Sequence, residues 1–155
     1  MLEDFNGNFK KIRYNRLISN RIKKIDGGTS DFDSSYTFNT DLSNNVERNI
    51  RFLDEVNDFP SLYIAAGTEI RDFNSQNLTN ATLDATIRAY VFSEDESQDK
   101  MDDLIQDIEH VIYRIGDNSD KGIQEISISN ISADEGLFTP YGLSEIEVII
   151  DYILV

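Results

Sequence analysis

The carboxylates of Asp99, Asp103 and Asp107 stand four residues apart, with Asp102 and His110 close by. They are the densest group in the chain that could collect a hard cation or move a proton. Oxygen ligands suit Mg²⁺ or Ca²⁺, but those ions are normally wrapped by ligands from loops or from several elements. A single straight helix presents its carboxylates in a row, so the expectation here is a solvated helix face. His110 as a general base has no nucleophile to serve, because no serine or threonine stands in a recognisable motif. Asp134 and Glu135 are adjacent, so in an extended chain they point to opposite sides and cannot flank one bond. Gly67, Gly116, Gly122, Gly136 and Gly142 are scattered and build no phosphate-cradling loop. The chain has one histidine and no cysteine, which removes thiol nucleophiles, zinc–thiolate sites and disulfides together. No catalytic residue, cofactor or metal is expected, and the chain is read as a non-enzyme.

The elements that would position these groups follow from periodicity. From Phe9 to Ile25, Tyr14, Ile18, Ile22 and Ile25 recur at helical spacing, with Lys10, Arg13, Arg16, Lys23 and Lys24 roughly opposite. That is an amphipathic helix with a basic outer face, closed by Asp26-Gly27-Gly28. The basic face reads as a solvated surface or as a docking face for an acidic neighbour, including another copy of this chain. Tyr36 and Phe38 alternate with polar residues as a short strand would. Val46, Arg48, Ile50 and Phe52 do the same, as a strand or extended arm, and Arg48 shares the apolar parity, either against a carboxylate or in solvent. After the break at Pro60, SLYIAAG reads as a strand ending at Gly67, and TEIRDFNSQN as a polar loop carrying the contact candidates Glu69 and Arg71. From Ala81 to Phe92 the alternation is strict, the clearest period of two in the sequence. Beyond the acidic link SEDESQ, Met101, Leu104, Ile105, Ile108, Val111, Ile112 and Ile115 follow helical spacing to a stop at Gly116-Asp117-Asn118. Two strands, GIQEISISNI and LSEIEVIIDYILV, complete the set. The stretch SADEGLFTPYG joins them, where Gly136, Pro140 and Gly142 shape a turn and Phe138 and Tyr141 add an apolar surface.

Composition bounds the partners. With 155 residues, 39% hydrophobic and 10% aromatic, the chain can build one packed domain over residues 1–155 despite a net charge of −15. Half of its 14 lysines and arginines lie before position 25. The remaining body is so acidic that it repels phosphates, which argues against ordinary DNA or RNA binding. No apolar run is long enough to span a bilayer, and MLEDFNGNFKK lacks the apolar stretch of a secretory signal, so cytoplasmic synthesis and no membrane partner are expected.

A set of ordered phrases carries more. The basic N-terminal helix, then YTFNTDLSNNVERN, DFPSLYIAAGTEIRDF, LTNATLDATIRAYVF, LIQDIEHVI and SADEGLFTPYGLSEIEVIIDY resemble, in that order and spacing, the tail terminator (tail completion) proteins of long-tailed bacteriophages. The resemblance runs from the first helix to the last strand. It implies an α+β domain, with a mostly antiparallel or mixed β-sheet and two amphipathic helices packed on one face. It also implies a homo-hexameric ring that caps the head-proximal end of the tail tube, ends tube polymerisation and meets the neck or head connector protein. The virion would be its location, assembled in the host cytoplasm, with DNA passing through the ring without specific binding. Such proteins have no catalytic residues. Under this reading Arg13, Arg16, Lys23, Arg48, Glu69, Arg71, Asp134, Glu135, Phe138, Pro140 and Tyr141 are partner or subunit contacts, with turn capping as the alternative for Asp134 and Glu135. A head-tail stopper or a tail tube protein is the alternative, a tube protein growing filaments where a terminator closes rings. A metal-dependent hydrolase is a third reading, open to assay with Mg²⁺ or Mn²⁺.

Overall fold

The alternation from Ala81 to Phe92 can bury only one side of a strand, and in the computed structural model of the chain that stretch lies at the middle of a sheet. The structure describes residues 7–42, 44–74, 78–117 and 122–154, with side chains from residue 14 onward except those of 116 and 117. The elements are α1 (Gly7–Ile22), β1 (Val46–Glu47), a 3-10 turn (Leu53–Glu55), β2 (Ser61–Phe73), β3 (Thr79–Phe92), α2 (Ser97–Asp117), β4 (Ile123–Ala133) and β5 (Tyr141–Leu154). The strands form one sheet in the order β1-β2-β3-β5-β4. β1 runs parallel to β2 and the other neighbours are antiparallel, so the sheet is mixed and mostly antiparallel, as expected.

β3 and β5 pair without interruption from Thr79–Leu154 to Phe92–Tyr141. This register puts Leu83, Ala85 and Ile87 on the same side as Ile150, Val148 and Ile146. Both helices cover that side, α1 over β2 and α2 over β3, β4 and β5. α2 buries Met101, Leu104, Ile108, Val111, Ile112 and Ile115 there, and α1 adds Tyr14, Ile18 and Ile22. Burying each such aliphatic side chain contributes about 1.5–3 kcal/mol. This burial, more than helix propensity, keeps the two helices in place. The Tyr14 and Tyr152 rings meet at 4.7 Å between centroids, tying α1 to the last strand.

Among the described residues, the opposite side of the sheet is covered only at one end. There Ile50, Leu53, Val56 and Phe59 fold over Tyr63 and Tyr90 as a small second cluster. The Tyr90 hydroxyl donates to the Arg51 carbonyl at 2.5 Å, which pins the arm down.

Several boundaries differ from the periodicity. α1 ends at Ile22, and Ile25 is buried from the following turn, its N–H donating to the Ile22 carbonyl at 3.0 Å. The expected strand at Tyr36–Phe38 is instead part of a strap, residues 26–42, that carries only the isolated bridges Asp26–Asp41 and Thr29–Thr37. Of the run from Val46 to Phe52, only Val46–Glu47 pairs as a strand. α2 ends at Asp117, while Asn118 lies outside the described residues.

The stretch read as a polar loop, TEIRDF, continues β2 through to Phe73. A bulge between Ala66 and Glu69 shifts the register, so that Glu69 faces Leu83 and Ile70 faces Thr82. One extra residue reverses which side chains point to which side. Glu69 and Arg71 therefore turn toward the helix layer and Ile70 turns out, an order that no period of two could foretell.

Candidate interaction surfaces

The β4–β5 connection is built on Asp134. Its Oδ1 accepts from the Leu143 N–H at 3.0 Å and its Oδ2 from the Phe138 N–H at 3.1 Å. The backbone of Asp134 adds bonds to the Leu143 carbonyl and from the Leu137 N–H, both 3.1 Å. One carboxylate thus satisfies amides at both ends of the turn, a structural use of the acid. Glu135 takes no part in this network; it sits exposed at φ 53, in the left-handed region, followed by Gly136 at φ 86. A Cβ on Gly136 would meet Gln98 Nε2 at 2.5 Å, so the turn also touches the start of α2 closely. The peptide bond before Pro140 is cis.

This loop presents Leu137 and Phe138 to solvent, 80% and 48% exposed. Phe138, together with Phe52 and Leu53 from the arm, rims an open groove of about 810 Å³ on the uncovered side of the sheet. Tyr141, Tyr90 and Leu143 line it, and Arg88 paired with Glu145 forms part of its wall. The Arg88 guanidinium lies 5.7 Å from the centre of the Phe52 ring. An apolar groove with exposed aromatic rims is suited to a protein surface. It contains no nucleophile and base in contact, and among the described residues no cluster of three or more His, Asp or Glu could hold a metal.

The polar side of α2 is not a solvated row. Asp107 is fully buried. It accepts from the Tyr36 hydroxyl at 2.7 Å, the Asn39 N–H at 3.1 Å and the Thr40 N–H at 2.8 Å. One turn on, the His110 ring stacks on Tyr36 at 3.9 Å between centroids, and its Nε2 lies 2.9 Å from Ser30 Oγ. Arg114 then pairs with Asp33 at 2.7 Å. Positions 107, 110 and 114 fall on one face of the helix, and together they hold down the strap. Burial holds the Tyr36 hydroxyl well above its usual range, reinforced by its bond to Asp107. Burial, with the charge of Arg114, pulls His110 below its ordinary value, against Asp33 and Asp107. Asp99, Asp102 and Asp103 remain exposed, as expected of a solvated face. The four-residue spacing of the acids was visible in the sequence; the signal that one of them is buried was not, since its partners are loop amides 67 and 68 residues away.

The remaining candidates are dispersed. Arg16 and Lys23 are exposed on the outer side of α1 and its following turn, while the Arg13 side chain lies outside the described residues. Arg48 is exposed, so the expected alternative of burial against a carboxylate is not realised. Glu69 has a largely buried side chain that accepts from the Tyr152 hydroxyl at 2.8 Å and pairs with Arg71 at 3.3 Å, at the sheet end opposite the groove. Pro140 and Tyr141 are half-buried beside the groove. The structure therefore gathers Asp134, Phe138 and Tyr141 around one groove and leaves the basic helix and the Glu69–Arg71 pair elsewhere. Phe52, which the alternation of the arm had marked without assigning it a role, and Leu53, which the periodicity did not single out, complete the groove.

The family described as Bacteriophage Tail Tube Terminator Protein matches residues 14–154 of the chain. Tail tube terminator protein p142 of Escherichia phage T5 is 28% identical over 147 residues, covering 88% of this chain and 88% of its own length. Among solved structures, a chain from the virion of a native gene transfer agent particle aligns with a TM-score of 0.48 at 9% identity, over 93% of this chain and 90% of that one.

Proposed function

This chain belongs to the bacteriophage tail tube terminator family, and on that premise we propose that it is a structural virion protein that closes the head-proximal end of the tail tube. The observation that carries the reading is the extent of the family match, residues 14–154, from the first helix to the last strand. In this role copies of the chain form a homo-hexameric ring from one domain spanning residues 1–155. The ring sits on the last layer of tail tube protein, stops further addition and offers its other side to the neck or head connector protein.

Catalysis has no place in this account; binding surfaces carry the function. The apolar groove and its rim, with Glu135, Phe138, Pro140 and Tyr141, are contact surfaces for a neighbour, and Asp134 holds that loop in shape. Arg13, Arg16 and Lys23 on the helix, Arg48 on the arm, and Glu69 with Arg71 at the far end of β2 are further contact residues. Carboxylates facing the ring opening repel phosphates, so the genome passes without specific binding. An opening lined by lysine and arginine would contradict that part of the reading.

The test is complementation. A phage lacking this gene is expected to make tails of uncontrolled length that fail to join heads. Adding the purified protein to such a lysate restores tails of fixed length and infectious particles, and electron micrographs show a closed ring at the tube end. Filaments grown by the purified protein alone, or normal tails in its absence, overturn the proposal.

A further inference from the structure

Helix α1 contains no acidic residue between Gly7 and Ile22, yet it belongs to a chain of net charge −15. Its apolar stripe, Tyr14, Ile18 and Ile22, is buried against the sheet, which leaves Arg16, and Lys23 just beyond the helix, directed away from it. The opposite face of the molecule is the uncovered side of the sheet. By register, β3, β5 and β4 place Asp84, Glu125, Glu145, Glu147 and Asp151 on that side. Arg88, already paired with Glu145, is the sole lysine or arginine these three strands place there. Half-buried Ile149 and Ile153 lie among the acids.

Resting on the ring reading above, we infer that the basic outer side of α1 in one copy docks on the uncovered acidic sheet face of a second copy. The two surfaces are complementary in charge and lie on opposite sides of a two-layer domain. A contact between them is therefore head-to-tail, the kind that closes a ring when the rotation per step permits. The edges of the sheet are poorly suited to the same task. β2 carries a bulge beyond the two residues that β1 pairs, and β4 carries two register shifts, whereas the inner β3–β5 pairing has none. Bulged edge strands discourage pairing with a neighbour's edge, which leaves the faces. A contact made mainly of exposed ion pairs is weak singly and is screened by salt. It suits subunits that stay apart until several contacts close together.

The experiment is a charge exchange on the full chain. One variant carries Arg16→Glu and Lys23→Glu, the other Glu125→Lys and Glu147→Lys, all at exposed positions, with unchanged thermal melting as the check on folding. Sedimentation velocity and electron microscopy follow assembly of the purified protein, with tail tubes added as template. Each variant alone is expected to associate at least about tenfold more weakly than the parent, because like charges now face one another. An equimolar mixture restores closed rings, since each variant's helix then meets the other's sheet face, and a chain with all four changes assembles by itself. Assembly unaffected in either variant, or no rescue on mixing, overturns the inference. So does a sheet-face variant that forms normal rings which now retain duplex DNA, which would assign that face to the bore. Rings that ignore every reversal leave the terminator reading standing without this contact. Rescue that yields only open chains keeps the contact and removes the closed ring.

Discussion

The carboxylate of Asp107 accepts a hydrogen bond from the Tyr36 hydroxyl at 2.7 Å, across 71 residues of sequence, and its oxygens also hold the N–H groups of Asn39 and Thr40. A fully buried acid thereby organises a strap that has no regular secondary structure of its own. Asp107→Ala leaves those donors unsatisfied. It is expected to destabilise the fold by about 2–4 kcal/mol, a fall in Tm of roughly 5–12 °C for a chain of this size. Asp107→Asn, which retains one acceptor oxygen, falls between. Calorimetry reads the size, and faster amide exchange confined to residues 36–40 reads the place.

His110 predicts a pH dependence. Its pKa is lowered from 6.5 by burial and then by Arg114, while Asp33 and Asp107 oppose the shift; Ser30, Tyr36 and Phe38 are its other neighbours. Because the folded value lies below the unfolded one, the unfolded chain takes up this proton first as pH falls. The associated stability is complete above about pH 6.5 and is lost as pH drops through the folded value. Urea melts of the parent and of His110→Gln should show a smaller loss between about pH 7 and about pH 5 in the variant. Equal losses would sink the assignment.

Asp134 and Glu135 should separate cleanly. Asp134→Ala removes the acceptor of two amides and is expected to cost about 1–2 kcal/mol. Glu135→Ala, at an exposed position outside that network, should stay within about 0.5 kcal/mol. If Glu135→Ala nevertheless reduces ring formation or tail joining, the defect belongs to a contact. A defect in Asp134→Ala first needs correction for the stability change.

Gly142 marks a close approach between β5 and the start of α2. A Cβ there would stand 2.7 Å from Val91 Cγ2 and 3.2 Å from the Ser97 carbonyl oxygen. Gly142→Ala is expected to destabilise by about 1–3 kcal/mol through overpacking, read as a lower urea midpoint with an unchanged slope.

Leu137 is 80% exposed in the β4–β5 loop, next in sequence to Phe138, which lines the groove. Leu137→Ser should leave Tm almost unchanged while lowering the yield of joined particles in the complementation assay. A normal yield would return this side chain to the ordinary surface.

Much of the fold was legible because burial leaves a period. The alternation in 81–92 and 145–154, and the helical stripe from Met101 to Ile115, each record one buried face, and those elements stand where they were expected, except that β5 begins at Tyr141, inside the stretch read as a loop. The strap left no such record, because its order comes from single polar groups on α2. Tyr36 and Phe38 alternate with polar residues and yet make no strand; they pack around His110 instead. The far half of β2 was hidden by its bulge. The groove was half legible: Phe138 and Tyr141 stood out as apolar residues in a turn, but Phe52 and Leu53, 85 to 89 positions earlier, come beside them only through the bent arm.

By itself the sequence determined the number and kind of the main elements, the apolar side of each, the absence of cysteine chemistry and the separation of a basic helix from an acidic body. Those properties are local or additive, so they can be read without knowing what meets what. The tertiary structure alone decided which side of the sheet stays uncovered, that Asp107 is a buried strap anchor and that Asp134 rather than Glu135 caps the turn, and it alone brought the arm and the β4–β5 loop together as a groove. Each of these depends on pairings between distant residues, and a hydrogen bond or contact of that range leaves no periodic trace in the chain that makes it.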